Sequence, residues 1–76
     1  MKKLRKFYFT FGLGSPLKKR YQVIYAEDYD TARKLMVEAY GDKWSWQYSE
    51  KAWAVVLRNN PKMREYTALE NVIYQE

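Results

Sequence analysis

An amphipathic helical segment that runs directly into an aromatic strand is the feature that most constrains the fold of this chain. Apolar residues recur at helical spacing from Ala32 to Tyr40, and Gly41 follows. Glycine suits the end of a helix because it adopts positive φ angles without strain. Aromatic and polar residues then alternate from Lys43 to Tyr48, which is the period of a β-strand. One helix followed at once by one strand indicates an α+β domain.

The length and composition predict one small domain with an aromatic core. The chain has 76 residues, of which eight are Tyr, three Trp and three Phe, with no Cys or His. Folding at this size buries only about 60% of the surface of the unfolded chain, so large aromatic side chains must supply much of the core. The absence of cysteine favours a reducing compartment such as the cytoplasm. Neither a signal peptide nor a membrane span is expected.

Two strands are predicted before the helix. The segment Lys6–Phe11 alternates with period two, which places Phe7, Phe9 and Phe11 on a buried face. A loop with two glycines and a proline ends this strand. Tyr21–Ala26 is the second strand, and it is expected to pair antiparallel with the first.

The helix is predicted from about Tyr29 to Tyr40, with Asp28 as its N-cap. We expect its apolar stripe to pack on one face of an antiparallel sheet. The stripe consists of Ala32, Leu35, Met36, Ala39 and Tyr40. In the third strand, strict alternation predicts Trp44, Trp46 and Tyr48 on one face, with Ser45 and Gln47 on the other.

The remainder of the chain is more ambiguous. After Ser49, a good N-cap, the apolar run 52–57 suits either a helix or a buried strand, and the helix is favoured. Asn59–Pro61 is a turn. Thr67 and Glu70 have capping-box spacing, and 71–74 suits a short strand or a helical turn. The predicted architecture is a ββαβ core followed by an α/β tail.

The residues offer little for catalysis, cofactors or metals. Gly12 and Gly14 precede a proline and a strand, so they predict a turn and not a phosphate loop. The acidic residues Glu27, Asp28 and Asp30 suggest a cation site, but helix capping already explains two of them. No carboxylate, Lys or Tyr lies in a motif that would hold it beside a nucleophile. We therefore expect a protein that is not an enzyme, without cofactor or metal.

The net charge of +5 is concentrated at the start of the chain, where residues 1–20 hold seven basic side chains and no acidic one. Such a cluster suits an anionic partner, either nucleic acid or an acidic protein surface. A solvated edge strand protected by lysines is the favoured interpretation, because the surplus of charge is modest for a nucleic-acid-binding domain. The candidate binding residues are Lys2, Lys3, Arg5, Lys6, Lys18, Lys19 and Arg20. The register of the hairpin decides whether the two groups lie at the same end or at opposite ends.

Aromatic side chains are the second set of candidate contacts. Tyr8, Trp44, Trp46 and Trp53 suit stacking against bases or packing against a protein partner. Core packing is the competing interpretation, because aromatic residues at period two beside a helix commonly face inward.

Several short segments resemble a family of small proteins encoded by bacteriophages and prophages of Gram-positive bacteria. They are Phe7–Gly12, Ala32–Met36, Gly41–Trp44 and Gln47–Ser49, within the region from Lys6 to Trp53. The resemblance implies a phage accessory protein with no catalytic activity. Such proteins frequently bind a host protein stoichiometrically, including as inhibitors of host defence. This is the first functional hypothesis; a nucleic-acid or nucleotide binder that uses the basic residues is the alternative.

Overall fold

The computed structural model describes residues 3–12 and 14–76, so the candidate residue Lys2 lies outside the described residues. The chain forms an α+β domain in which a mixed sheet is covered by one helix on each face. Its elements are β1 (Arg5–Thr10), β2 (Arg20–Ala26), α1 (Tyr29–Tyr40), β3 (Trp46–Ser49), α2 (Glu50–Asn59), a 3-10 helix (Pro61–Glu65), β4 (Thr67–Ala68) and β5 (Ile73–Tyr74). The predicted ββαβ core is confirmed.

The core of the sheet is antiparallel, as predicted. β1 pairs with β2 from Arg5 opposite Ala26 to Thr10 opposite Tyr21. It pairs on its other side with β3, from Phe7 opposite Ser49 to Thr10 opposite Trp46. The short strands β4 and β5 both lie parallel to β2, which makes the whole sheet mixed.

Helix α1 covers the face of the sheet that carries Phe7, Phe9 and Phe11, as the alternation predicts. Ala32 and Met36 are the fully buried members of its stripe, whereas the predicted stripe residue Ala39 is exposed. Ala39 therefore lies at the margin of the helix–sheet contact, whereas Tyr40 in the same turn packs edge-on against Phe11. The helix boundaries agree with the prediction.

Both ends of α1 are capped by local interactions. The Thr31 N–H donates to Oδ1 of Asp28 at 2.7 Å, which confirms the predicted N-cap. Gly41 adopts φ 65° and ψ −126°, and its N–H donates to the Val37 carbonyl. The predicted positive φ is therefore confirmed, although the ψ value lies outside the left-handed helical region. The backbone conformation at this position favours glycine over all other residues.

The ambiguous segment after Ser49 is helical, and it covers the second face of the sheet. The Ser49 hydroxyl accepts a hydrogen bond from the Ala52 N–H at 3.1 Å. Trp53 stacks on Tyr8 with ring centroids 4.9 Å apart and planes 9° apart, and Tyr21 and Tyr48 pack around the same indole. An aromatic cluster thus joins α2 to three strands.

The tail forms two short strands, and the predicted capping box is wrong. Thr67 lies in β4, where its N–H donates to the carbonyl of Lys19 at 3.1 Å. Pairing with β2 satisfies the backbone there, so no helix begins at this threonine. Of the two alternatives left open at 71–74, a short strand or a helical turn, the structure has a strand, β5 at Ile73–Tyr74.

Candidate functional site

The strand β3 forms one end of the sheet, in the order β3-β1-β2-β4 with β5 also beside β2. Within the part of the chain that the structure describes, β3 pairs with β1 alone. An edge strand keeps a row of backbone N–H and C=O groups directed away from its own sheet. This free edge is called the β3 edge below.

The aromatic alternation predicted for this strand is wrong at its start. Regular strand begins only at Trp46, because the chain at 43–45 is irregular and the Ser45 N–H donates to the carbonyl of Thr10. The alternation therefore changes phase before the strand. Trp44 packs edge-on against Phe9 on the α1 face, whereas Tyr48 packs against the indole on the α2 face.

Trp46 is the most exposed large apolar residue of the described chain, with 62% of its side-chain surface accessible to solvent. Three further apolar side chains, each between 44% and 48% exposed, lie on the elements beside it. They are Tyr29, Val37 and Val55. Tyr29 and Val37 lie with Trp46 on the α1 side of the strand, whereas Val55 lies beside Trp46 on the α2 side.

A groove of about 610 Å³ lies between α1 and the β3 edge, and is called the α1-side groove. Its walls include Tyr29, Val37 and Trp46. The Arg33 guanidinium lies 5.5 Å from the centre of the Trp44 ring, and the indole N–H of Trp44 donates to the Gly41 carbonyl. A cation over a fixed aromatic ring thus lines this groove.

A buried amide lies at the base of the same groove. Nε2 of Gln47 donates to the carbonyl of Tyr29 at 2.9 Å, which joins β3 to the start of α1. Oε1 of Gln47 is buried and accepts no hydrogen bond from any described residue.

Two further grooves flank α2 and are continuous with each other. The α2-side groove has a volume of about 490 Å³ and is lined by Trp46, Val55 and Val56 among others. A second groove of about 560 Å³, called the basic groove, is lined by Lys3, Arg5, Lys6, Lys51 and Glu50 together with apolar neighbours. Ser49 and Lys51 line both grooves. The surface therefore changes from apolar to basic along one side of the molecule.

The hairpin register separates the two groups of basic residues predicted from the sequence. Arg5 lies opposite Ala26 at one end of the β1–β2 ribbon, whereas Arg20 begins β2 at the other end. Five or six residues of strand span roughly 17–20 Å. The groups thus form two separate surfaces, and Lys3, Arg5 and Lys6 are the ones that reach the basic groove.

At the hairpin end, Lys18 and Lys19 are exposed but Arg20 has a structural role. The Arg20 guanidinium donates to the carbonyls of Thr67 and Ala68, which holds β4 against β2. Only the long-range pairing of the tail with β2 reveals this role of Arg20, and no local pattern signals it.

The four aromatic candidates divide into core and surface residues. Tyr8 and Trp53 are 8% and 5% exposed and pack on each other, so they stabilise the core and offer no surface contact. Trp44 is half-buried and lines the α1-side groove. Trp46 alone of the four stands at the surface. All four are aromatic, so the sequence alone could not tell which of them are buried and which are exposed.

Two ionisable side chains near the grooves, Lys6 and Tyr48, have raised pKa values. The interaction with the Tyr8 side chain raises the pKa of the Lys6 ammonium, whose Nζ lies 5.0 Å from the centre of that ring. Partial burial raises the pKa of the Tyr48 phenol. Lys6 is consequently charged and Tyr48 neutral throughout the physiological pH range.

The acidic group at the start of α1 serves the helix. Asp28 is the N-cap, and Asp30 lies in the first turn near the positive end of the helix dipole. Among residues 3–12 and 14–76, no group of three or more acidic side chains is arranged to hold a metal ion. In the same ranges, neither helix is long and apolar enough to cross a bilayer.

Comparison with protein-family models, with curated proteins and with solved structures found no match to this chain. The candidate site therefore rests on its own geometry. Its parts are the β3 edge, the exposed Trp46 and the three grooves around them.

Proposed function

We propose that this chain is a non-enzymatic phage accessory protein that binds a host protein stoichiometrically in the host cytoplasm, and that the β3 edge is its contact surface. The exposure of Trp46 on an edge strand is the observation that carries the proposal. Tryptophan is one of the residues most enriched among interface hot spots. The indole lines one groove with Val37 and another with Val55, so a partner that covers it would bury apolar surface on both sides of the strand.

The charge of the whole chain narrows the kind of target. A net charge of +5 is the opposite of what an inhibitor needs when it imitates DNA. It favours encounter with an acidic protein surface, since complementary charge accelerates association. Inhibition of a host defence protein by this route requires occupation of a site on that protein, with no chemistry by the chain itself.

The test is a pull-down from host lysate with tagged protein, treated with nuclease and washed at low and high salt. We expect one host protein to be retained by the native chain at equimolar ratio and to be lost with Trp46→Ser. The matched control is Val72→Ser, which removes an exposed valine from the opposite side of the sheet. Equal retention by Trp46→Ser would show that the β3 edge is not the contact surface. A pull-down that retains no specific host protein would contradict the proposed function.

A nucleic-acid binder is the second candidate, and the hairpin end is the observation that favours it. Lys18 and Lys19 are exposed there, in the turn between β1 and β2. Phosphate contacts by these lysines predict an affinity that falls steeply with salt. Recovery of nucleic acid alone in the pull-down, lost at high salt and lost with Lys18→Glu, would establish this alternative.

A further inference from the structure

We infer that the β3 edge and the basic groove together bind one extended acidic segment of a partner, which adds to the sheet beside β3. This inference rests on the proposed function and specifies the chemistry of the partner. Apolar side chains of the segment would pack beside Trp46, and its acidic side chains would enter the basic groove.

The β3 edge is short, at four residues, but it carries none of the charged or proline residues that usually prevent strand addition. Its sequence, Trp-Gln-Tyr-Ser, contains no lysine, no proline and no other charged residue. The opposite side of the sheet differs, because the short strands β4 and β5 lie against β2 there. An uncharged edge with an apolar flank is the arrangement by which peptide-binding domains add a strand.

The α2-side groove and the basic groove share lining residues, so together they define the path along which the segment would bind. The α2-side groove begins at Trp46 and Val55 and reaches Ser49 and Lys51. The basic groove begins at these last two residues and continues to Arg5. β3 itself spans roughly 13 Å at the usual rise per residue. The path therefore accommodates about four residues of strand followed by a short charged extension.

Charge complementarity selects the occupant of this path. Lys3, Arg5, Lys6 and Lys51 line the basic groove, and Glu50 is the one acidic residue among its lining residues. The surplus of three positive charges attracts carboxylates and repels basic segments. A second copy of this chain is disfavoured as occupant, because each copy carries a net charge of +5. An acidic segment of another protein satisfies both the apolar and the basic parts of the path.

The test uses a random 12-residue peptide display library selected against the immobilised native chain. We expect the enriched peptides to combine alternate apolar residues with a run of at least three acidic residues at one end. One enriched peptide is then synthesised, and its affinity is measured by fluorescence anisotropy at about 0.1 M salt. On complex formation, amide hydrogen exchange should slow at those backbone N–H groups of residues 46–49 that face away from β1, as strand addition requires.

Two double variants with the same net charge distinguish the effect of the charge in the basic groove on peptide affinity from the effect of the net charge of the chain. Arg5→Glu with Lys51→Glu should weaken the peptide at least tenfold. Lys34→Glu with Lys62→Glu makes the same change in net charge on residues that line none of the three grooves, and should weaken it less than threefold. All four side chains are exposed, and thermal unfolding verifies that each variant folds.

Several results would overturn the inference. In the library selection, these are enriched peptides without acidic residues, or no enrichment over the blank support. In the binding measurements, they are an equal loss of affinity in both double variants and unchanged hydrogen exchange at residues 46–49. Self-association of the chain through the β3 edge would also overturn it. A host protein retained equally by native chain and by Arg5→Glu with Lys51→Glu would leave the proposed function intact and refute only this inference. Binding of the acidic peptide without any retained host protein would support this inference and refute the proposed function.

Discussion

The Tyr40 hydroxyl donates a hydrogen bond of 2.9 Å to Oε1 of Gln22, and this joins the last turn of α1 to the centre of β2. The Gln22 side chain is fully buried. Its Nε2 also donates to the carbonyl of Asn71, so a single amide connects helix, sheet and tail.

Replacing Gln22 with alanine should therefore destabilise the protein by about 2–3 kcal/mol, since the hydroxyl of Tyr40 and the carbonyl of Asn71 both lose their buried partner. Urea unfolding monitored by tryptophan fluorescence measures the change. Tyr40→Phe removes only one of the two bonds and should cost less. A cost for Gln22→Ala below that of Tyr40→Phe would contradict the connecting role.

Substitution of the buried Trp53 and of the exposed Trp46 should change the stability of the fold by very different amounts. Trp53→Ala removes the indole at the centre of the aromatic cluster and should cost about 3–5 kcal/mol. Trp46→Ser changes an exposed side chain and should stay within about 0.5 kcal/mol of the native protein. Thermal and urea unfolding of both variants decides this. Marked destabilisation by Trp46→Ser would mean that the indole is packed.

The hairpin loop contains one strained position. Lys19 adopts φ 62°, an angle that favours glycine or asparagine over lysine. Lys19→Gly should leave stability unchanged or raise it by up to about 1 kcal/mol. The control is Lys18→Gly, which has no such strain to relieve and should lower stability through the entropy of the unfolded chain. Equal effects at both positions, measured by urea unfolding, would argue against strain.

The capping hydroxyl of Ser49 should contribute measurably to α2. Ser49→Ala leaves the Ala52 N–H without its partner and should cost about 1 kcal/mol, whereas Ser49→Asp preserves the cap. Chemical denaturation gives both values. If alanine and aspartate prove equally stable at this position, the cap contributes nothing beyond solvation.

The N-cap of α1 should give a pH dependence of defined sign. The hydrogen bond from Thr31 lowers the pKa of the Asp28 carboxyl below its usual 3.8. Stability from this group is therefore fully present above pH 3.8 and is lost as pH falls through the lower folded value. NMR titration of the carboxyl should give a midpoint below 3.8, and Asp28→Asn should remove this part of the acid sensitivity. A midpoint at or above 3.8 would refute the cap.

The sequence predicts the parts of this fold that depend on local pattern. The phenylalanines of β1 alternate without interruption, and Asp28 and Gly41 mark the ends of α1 through backbone chemistry that acts within a few residues. The phase change before Trp46 could not be predicted, because it depends on where Ser45 bonds to a strand more than thirty residues away in sequence. Burial of Tyr8 and Trp53 likewise depends on tertiary contact.

The candidate site was predicted only in part for the same reason. Lys3, Arg5 and Lys6 were identified by their charge, but Lys51 completes the basic groove only because α2 begins beside β1. Arg20 resembles its basic neighbours in sequence, yet it holds the tail through two carbonyls. Charge predicts attraction to an anion, and only topology determines which charges act together.

The parallel pairing of β4 and β5 with β2 has a consequence during synthesis on the ribosome. The hairpin and both helices precede residues 67–74 in the chain, so they can assemble while the outer side of β2 still lacks its cover. Until those last strands emerge, the whole outer side of β2 is an open edge. A chain that ended before residue 67 would keep this edge, and we expect it to aggregate by pairing with other chains.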